Sequence, residues 1–274
     1  MALVAGVASG GGSKPATSAR IYDYYLGGTH NFPADRDAAK AMLLRFPLTP
    51  GLARTNRAFL RRSVRYLGEA GVTQFLDIGS GIPTEGNVHE VIAEVVPAAR
   101  VVYVDMDPVA VSESLDILEG NDRTTAIVGD LREPQNILTH PRVRDLIDFR
   151  KPVALLMNAV LHFVSDDTIA YNSVKRLVGA LAPGSYLAMS HVCVDELDLE
   201  QYDLKFVQDM YEQQTTTPFC PRSRTQVMRF FEGLEFVEPG LVYLSLWRPA
   251  PGDPTDFIDN PSVSSCLAGV GRLP

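Results

Sequence analysis

Cysteine and tryptophan are scarce in this sequence. Three of its 274 residues are cysteines and one is tryptophan. The cysteines (Cys193, Cys220 and Cys266) are odd in number, lie far apart and form no CxxC pair, which argues against a disulfide framework and against a zinc site. We therefore predict no metal site and expect a reduced, cytoplasmic setting.

The chain also lacks an excess of basic residues and any long apolar run. Its 25 Lys and Arg residues are outnumbered by 33 Asp and Glu residues, for a formal net charge of −8. General nucleic-acid binding needs a basic surface and is not expected here. No apolar run approaches the roughly 18 residues that span a bilayer, so no membrane association is expected. The sequence leaves the oligomeric state open.

The N-terminal stretch "MALVAGVASGGGSKPATS" has no basic segment ahead of its short, interrupted apolar part. A secretory signal peptide would carry both features. We interpret residues 1–18 as a flexible Gly/Ser-rich tail instead.

Apolar runs that alternate with helical patterns begin at Val72. They are "VTQFLDI", "RVVYVD", "TTAIVGD", "VALLMNAV" and "GSYLAMSHV", with "FVEPGLVYLSLW" and "SVSSCLAGVGR" near the end of the chain. Helix patterns lie at residues 87–96, 108–118, 166–181 and 197–212. Nearly continuous apolar strands separated by helices indicate a parallel sheet covered on both faces. The pattern predicts one α/β domain over residues 72–274.

A helical cap is predicted ahead of that domain, over residues 19–71. One helix is expected at 35–46, with Asp35 as its cap, and another at 52–67. The second carries a basic stripe of Arg54, Arg57, Arg61 and Arg65. Such a stripe is either a solvated helix face or a contact for an anionic ligand or partner.

The segment "FLDIGSG" is an apolar strand that ends in an acid and a glycine turn. Gly79 and Gly81, with Ser80 between them, permit a tight turn and let a ligand lie close to the backbone. The next strand ends at Asp105 and Met106, where a carboxylate is placed to accept hydrogen bonds from ribose hydroxyls. Together the two features predict the nucleotide crevice of a doubly wound sheet. Asp107, just before a proline, could instead cap the next helix.

The residues of the turn favour one nucleotide over another. A dinucleotide site would favour G-x-G-x-x-G, but Thr84 stands where the third glycine belongs. The carboxylate of Asp77 would repel a diphosphate, whereas it suits the α-ammonium of S-adenosylmethionine. We therefore predict S-adenosylmethionine as cofactor and S-adenosylhomocysteine as its product. At the third strand, Asp130 could accept from the adenine amino group, and Leu131 or Ile127 could flank the ring.

The fourth strand ends at Asn158 and Ala159, which we count with the cofactor site. His162 follows this strand and His191 lies at the end of the fifth. Each is a candidate general base, although each could instead have only a structural role, such as capping a helix. An activated acceptor needs only alignment and desolvation, so methyl transfer does not require either histidine.

Several of these motifs resemble a known class of enzymes. "DIGSG", "YVDMDP", "GDLRE" and "AVLHFV" resemble the class I S-adenosylmethionine-dependent methyltransferases. The stretch "ARIYDYYLGGTHNFPADRDAA", with "WRP" and "AGVGRLP", resembles a bacterial, largely actinomycete methyltransferase family long catalogued as a domain of unknown function. The resemblance covers residues 19–274. It implies a Rossmann-like, doubly wound, seven-stranded and mostly parallel sheet with the last strand antiparallel, and little about the methyl acceptor.

The stretch after the tail is rich in tyrosine and glycine. We predict that Tyr22, Tyr25, Gly28 and Asn31 belong to a lid over the cofactor crevice, with Gly27-Gly28 as its hinge. Tyrosine rings would cover apolar parts of the ligand while their hydroxyls reach its polar groups. The alternative is that the tyrosines only anchor the cap to the core.

The leading functional hypothesis is transfer of a methyl group to oxygen or nitrogen of a small molecule. A second hypothesis is a non-catalytic cofactor-binding or regulatory protein on the same fold. A third is an NAD-dependent oxidoreductase, which Asp77 and the missing third glycine disfavour.

Overall fold

The computed structural model describes residues 15–82, 86–195, 204–215 and 217–274. The described part begins with three helices: α1 (Ser18–Tyr25), α2 (Pro33–Leu43) and α3 (Thr49–Glu69). Strands and helices then alternate as β1 (Gln74–Ile78), α4 (Val88–Ala93), β2 (Arg100–Asp105), α5 (Pro108–Ile117), β3 (Thr124–Val128), α6 (Pro134–Thr139), α7 (Pro141–Leu146), β4 (Ala154–Asn158), α8 (Asp167–Val178) and β5 (Tyr186–Val192). The C-terminal part holds α9 (Leu204–Gln214), α10 (Arg224–Met228), β6 (Glu235–Phe236), β7 (Val242–Tyr243) and β8 (Cys266–Arg272).

The eight strands of the described residues form one sheet, in the order β3-β2-β1-β4-β5-β8-β6, with β7 also paired to β8. Strands β1 to β5 are parallel, and β8 runs antiparallel to β5. The predicted doubly wound sheet with an antiparallel last strand is confirmed. The extra strand arises because "FVEPGLVYLSLW" does not form one strand. Pro239 and Gly240, the latter at φ 86°, make a turn that separates β6 from β7.

Helices cover both faces of the sheet, as expected for buried parallel strands. Leu76 and Ile78 of β1 belong to the apolar cluster on one face. Phe75 belongs to the other cluster, where α3 packs through Phe59 and Val64. Because side chains alternate along a strand, Asp77 faces the α3 side of the sheet together with Phe75.

The three N-terminal helices occupy the region predicted as the cap, and a third apolar cluster joins this region to α9. Ile21, Tyr25 and Met42 from the cap pack in this cluster with Met210 and Tyr211 of α9. The cap therefore contributes to the core and is not an appendage.

A buried arginine ties the cap to the sheet. Arg20 of α1 is 2% exposed and pairs with Asp35 of α2 at 2.9 Å and with Asp107 at 2.8 Å. Asp107 is also the N-cap of α5, accepting from the backbone N–H of Val109 at 3.0 Å. Asp107 therefore caps the helix that follows β2, which is one of the roles its position before a proline suggested.

The predicted tail and the first predicted helix of the cap differ in detail from the structure. Of the predicted tail, residues 1–14 lie outside the described part of the chain, whereas Ala16 is buried and Thr17 caps α1. Helix α2 begins before Asp35, which is therefore not the cap residue. Its carboxylate instead accepts from the backbone N–H of Phe32 at 2.8 Å, because Pro33 opens the helix.

The arginines of α3 have different roles. Arg54 pairs with Asp256 at 2.8 Å, and Arg65 pairs with Glu94. Arg62, which lies outside the predicted stripe, is the buried one, and it donates to the carbonyl oxygen of Trp247 at 2.7 Å. The stripe is therefore used largely in contacts within the chain.

The remaining helix predictions agree with the structure to within a few residues where it can be compared. Residues 197–203 of the helix predicted at 197–212 lie outside the described part. Within the described ranges, no helix is long and apolar enough to cross a membrane. In the same ranges, no group of three or more potential metal ligands occurs.

Candidate functional site

A cavity of about 290 Å³ lies where β1, β2, β3 and β4 end. This volume is near the lower end of the range of about 300–1,000 Å³ typical of small-molecule sites. The chain leaves β1 toward β2 and β3 on one side and returns to β4 on the other, so the cavity occupies the switch point of the sheet. Side chains of α1, α2 and α3 cover it.

The glycine turn after β1 forms one wall of the cavity. Gly79 has φ 71° and Gly81 has φ 64°, and both line the cavity with Ser80. A Cβ on Gly79 would come within 2.2 Å of the side chain of Val160, so this position requires glycine for space as well as conformation. A Cβ on Gly81 would meet none of the described atoms within 4 Å, which leaves its backbone open to a ligand. Thr84 lies outside the described residues.

Asp105 is held in place by two backbone groups. Its Oδ2 accepts from the N–H of Gly81 at 2.8 Å, and its Oδ1 accepts from the N–H of Asp107 at 2.8 Å. Burial raises the pKa of this carboxyl to about 6, against the effect of those hydrogen bonds. Each carboxylate oxygen can accept more than one bond, so Asp105 can still accept from a ligand hydroxyl.

Asp77 and Arg57 bring opposite charges to the same part of the cavity. Asp77 is 5% exposed, and burial raises the pKa of its carboxyl to about 7, although the charge of Arg57 lowers it. Arg57 donates from Nη2 to Oδ1 of Asn87 at 3.1 Å. A carboxylate and a guanidinium that both line one cavity complement a ligand carrying an ammonium and a carboxylate.

The end of β3 contributes Asp130 and Leu131. Burial alone would raise the pKa of Asp130, but the hydrogen bonds and charge of Arg132 lower it, with Nε of Arg132 at 2.9 Å from both carboxylate oxygens. Leu131 is buried, whereas Met106, at the end of β2, is 42% exposed. An ionised acid flanked by two apolar side chains suits a ring that carries an amino group.

The end of β4 has two unusual residues. Neither amide atom of the Asn158 side chain has a hydrogen-bond partner among the described residues, although both are buried. Ala159 has φ 52°, a conformation that costs an alanine about 1–2 kcal/mol. Both residues line the cavity.

A chain of hydrogen bonds connects Ala159 to the cap. Its N–H donates to Oγ of Ser190 at 3.0 Å, and that hydroxyl donates to Oδ1 of Asn56 at 2.6 Å. Nδ2 of Asn56 donates to the hydroxyl of Tyr22 at 3.0 Å, and Tyr22 donates to the carbonyl of Ala53 at 3.0 Å. The position of Tyr22 on α1 is therefore coupled to the backbone at the end of β4.

The two candidate histidines have different environments. His162, in a 3-10 helix (Leu161–Phe163), lines the cavity, and its buried Nδ1 has no partner among the described residues. Burial lowers its pKa well below the ordinary value, and His191 and Arg222 add to this effect. The imidazole is therefore neutral near pH 7 and able to accept a proton.

His191 does not line the cavity. Its Nδ1 lies 2.7 Å from the carbonyl oxygen of Val192, and its Nε2 lies 3.1 Å from Nη1 of Arg222. Because Arg222 can only donate, Nε2 accepts and Nδ1 carries the proton. Burial lowers the pKa of His191 to about 3. The expectation that it could act as a base in the pocket is corrected to a structural role, since both nitrogens are already bonded.

Some of the predicted lid residues line the cavity and others do not. Tyr22 and Tyr25 line the cavity, but Gly28 and Asn31 do not. Gly27 and Gly28 close α1 by donating to the carbonyls of Tyr24 at 3.0 Å and Asp23 at 2.9 Å, the pattern of a Schellman motif. Nδ2 of Asn31 donates to Oδ2 of Asp23 at 2.8 Å. The predicted hinge is thus a fixed helix end, because Asp23 binds the turn that follows it.

Beyond β4 the cavity continues into a part whose lining is mostly aromatic and aliphatic. Its residues include Tyr25, Met42, Phe163, Val207, Tyr211, Thr217 and Phe219. Most of these residues were not predicted from the sequence, and neither were Asn56 and Ser190. Aromatic residues in a C-terminal segment are typical of any core, so no local signal distinguishes these.

Comparisons with known proteins were consistent with one another. The profile of a family described as S-adenosyl methyltransferase matches residues 11–274. A candidate methyltransferase from Thermobifida fusca YX is 41% identical, with a TM-score of 0.85 over 95% of this chain and 96% of the other. A DUF574 family protein from Streptomyces avermitilis MA-4680 is 40% identical, with a TM-score of 0.87 over 95% of this chain and 98% of the other. No curated protein matches the chain significantly.

Proposed function

The chain belongs to the S-adenosyl methyltransferase family, and from this premise we propose that it transfers a methyl group to oxygen or nitrogen of a small-molecule acceptor. S-Adenosylmethionine is the cofactor and S-adenosylhomocysteine the product. One observation carries the acceptor part of the proposal. The cavity continues from the strand-end carboxylates into a covered space lined by His162 and Tyr25, each of which has a buried polar atom with no partner among the described residues.

The charged residues fit the amino-acid end of this cofactor. We assign Asp77 to its α-ammonium and Arg57 to its carboxylate, because the two side chains bring opposite charges to one cavity wall. Gly81 leaves room for the ligand to lie against the backbone. The glycine turn and α3, which are far apart in sequence, would together bind the amino-acid group.

The other strand ends fit its nucleoside. Asp105 would accept from the ribose hydroxyls, and Asp130 from the adenine amino group, with Met106 and Leu131 on the ring faces. Asn158 would gain partners for its two unsatisfied amide atoms. Each assignment uses a donor, an acceptor or an apolar surface that already lines the cavity.

When bound, S-adenosylmethionine supplies an electrophilic methyl group on a positively charged sulfur. His162 accepts the proton that the acceptor oxygen or nitrogen loses, and it later releases this proton to water. Its lowered pKa keeps it neutral for this role near pH 7. Tyr25 lines the same cavity, and its hydroxyl would orient the acceptor.

The cap side chains that line this site would limit the access of water to it. Tyr22 is fixed by Asn56, and Tyr25 packs in the cluster that joins α1 to α9. The lid and anchor interpretations of the tyrosine segment are therefore compatible, because the same rings pack in the core and line the cavity. A dry cavity strengthens the charge interactions that hold the ligand.

Two features argue against the alternative functions. A dinucleotide site would place a helix N-terminus directly after the glycine turn, but α4 begins only at Val88. A purely cofactor-binding protein would not need the additional compartment around His162 and Tyr25.

Calorimetry with S-adenosylmethionine, S-adenosylhomocysteine and NAD tests the cofactor part. Mass spectrometry of acceptor mixtures incubated with the enzyme tests transfer. We expect His162→Gln to lower turnover by about 10²–10⁴-fold, with S-adenosylhomocysteine affinity unchanged. His140→Gln is the matched control, since His140 lies between α6 and α7 and does not line the cavity. Bound cofactor without any methylated product would favour the non-catalytic alternative.

A further inference from the structure

The charged residues that line the cavity lie on one side of it. Among the described lining residues, every Asp and Arg comes from the ends of β1, β2 and β3 or from α3. The strand order places β4 and β5 on the opposite side of β1. The compartment beyond β4, defined above by Tyr25, Phe163, Tyr211 and their neighbours, is uncharged over the residues that the structure describes.

Flat rings form much of this compartment. Phe163 and Tyr211 have ring centroids 5.5 Å apart, and Tyr211 stacks on Phe219 at 5.3 Å with an interplanar angle of 23°. The ring of His162 lies 5.4 Å from that of Phe219. Tyr25 belongs to the same apolar cluster. Aromatic ligands gain about 0.5–1.5 kcal/mol from each such ring beyond the area they bury.

Three polar atoms are buried among these rings without partners in the described part of the chain. They are the hydroxyl oxygens of Tyr25 and Thr217 and Nδ1 of His162, in residues that are 7%, 8% and 4% exposed. Unsatisfied buried polar atoms are rare in native proteins, because each costs about 1–3 kcal/mol. Their presence in three residues that line one cavity points to a ligand with few, well-placed polar groups.

We infer that the methyl acceptor is a neutral, planar aromatic compound with a ring hydroxyl, bound among Phe163, Tyr211 and Phe219 with its hydroxyl at His162. This inference rests on the proposed function and adds the chemical class of its substrate. In the reaction the phenolic oxygen bonds to the methyl carbon, the sulfur–methyl bond breaks, and the phenolic proton moves to His162.

The properties of His162 favour a phenol over an aliphatic alcohol. Burial makes this imidazole a weak base, since it lowers its pKa well below the ordinary value. A weak base deprotonates a ring hydroxyl, with a pKa of about 10, far more readily than an ordinary alcohol. A cationic amine would need a carboxylate to replace its water, and the compartment supplies none from the described lining residues.

The inference is tested with 2-naphthol as the probe, titrated into the full-length protein saturated with S-adenosylhomocysteine. Decahydro-2-naphthol has the same carbon skeleton without planarity, and 2-naphthoate and 2-naphthylmethylamine carry a negative and a positive charge. We expect 2-naphthol to bind at least about tenfold more tightly than each of the other three. With S-adenosylmethionine it should yield the methyl ether, detected by mass spectrometry.

Two variants locate the binding. Phe219→Leu should weaken 2-naphthol about tenfold and leave decahydro-2-naphthol unchanged, because only the planar compound uses the ring. Phe149→Leu is the matched control, since Phe149 packs near Arg144 and does not line the cavity. Affinity for S-adenosylhomocysteine, measured for each variant, reports whether the fold and the cofactor side are intact.

Equal or tighter binding of decahydro-2-naphthol, or tighter binding of a charged probe, would overturn the aromatic class. The aromatic class would also be overturned if 2-naphthol failed to bind to protein that holds S-adenosylhomocysteine. The proposed methyl transfer would then stand without an aromatic acceptor. If neither S-adenosylmethionine nor its product binds, the proposed function itself fails, and the acceptor class fails with it.

Discussion

Replacing Asp77 by asparagine should raise stability and weaken cofactor binding. The side chain keeps its size and shape but loses its negative charge. Asp77 is buried beside Asp105, with the charge of Arg57 as partial compensation. A buried carboxylate of this kind is costly to the free protein, so we expect its charge to be retained for a ligand.

The stability change follows from the pKa of Asp77, which rises from 3.8 in a model peptide to about 7 in the folded protein. The folded state then binds the proton more tightly than the unfolded chain does. The stabilisation that this proton provides is complete below the pKa that Asp77 has in the unfolded chain. It is lost as the pH rises through about 7, the pKa of Asp77 in the folded protein. At 1.36 kcal/mol per unit, a titratable carboxyl with this pKa shift destabilises the fold, relative to a neutral side chain, by about 3 kcal/mol at pH 6 and about 4 kcal/mol at pH 8, because it ionises more readily in the unfolded chain. Asp77→Asn should therefore be more stable than wild type by up to these amounts.

Cofactor affinity should change in the opposite direction. A charge-assisted hydrogen bond to the α-ammonium contributes about 1.5–3 kcal/mol, so the variant should bind S-adenosylhomocysteine about 10- to 150-fold more weakly. With a pKa of about 7, the ionised fraction of Asp77 falls about eightfold between pH 7.5 and pH 6. Wild-type affinity should fall by a similar factor over this range, and the variant's affinity should not.

Urea unfolding and calorimetry at several pH values between about 6 and 8 measure both effects. Asp122→Asn, in an exposed turn, is the matched control and should change neither quantity. The reasoning is refuted if Asp77→Asn binds as tightly as wild type at pH 7.5. It is also refuted if wild-type affinity is independent of pH while Asp77→Asn is no more stable.

Other contacts lead to further predictions. Arg20→Met leaves two buried carboxylates without their partner, so urea unfolding should show a loss of about 3–5 kcal/mol; a loss under 1 kcal/mol would contradict the role given to this ion pair. Gly28→Ala places a Cβ 2.0 Å from Oδ1 of Asp23 and should lower the melting temperature markedly. Gly81→Ala meets no described atom within 4 Å and should cost only about 1–2 kcal/mol of stability, while calorimetry shows weakened S-adenosylhomocysteine binding. Tyr22→Phe removes the acceptor of the side-chain amide of Asn56, and thermal unfolding should register about 1–3 kcal/mol.

The acids at the strand ends show which parts of a site can be predicted locally. Asp77, Asp105 and Asp130 each follow a short apolar run, and the carboxyl ends of parallel strands necessarily meet at one edge. Once the parallel sheet was predicted, the convergence of these residues on one cavity followed.

The histidines show the limit of that approach. His162 and His191 each follow an apolar strand and carry the same ring, so the sequence offered no reason to prefer one. Arg222, which is distant in sequence, donates to Nε2 of His191 and to the carbonyl of Leu161 at 2.9 Å. Only this long-range contact makes one histidine structural and leaves the other facing the cavity.

The sequence by itself determined the doubly wound sheet, the identity of the protein's cofactor and the carboxylates at the carboxyl ends of the parallel strands. These depend on periodicity, glycine turns and charge, which act between neighbours in the chain. Tertiary structure alone decided that Arg57 lies in the same cavity as Asp77, that Gly27 and Gly28 close a helix to which Asn31 is bonded through Asp23, and that aromatic rings from separate segments enclose the compartment beside His162. Such contacts join residues far apart in the chain, and their free energy depends on packing that no local pattern records.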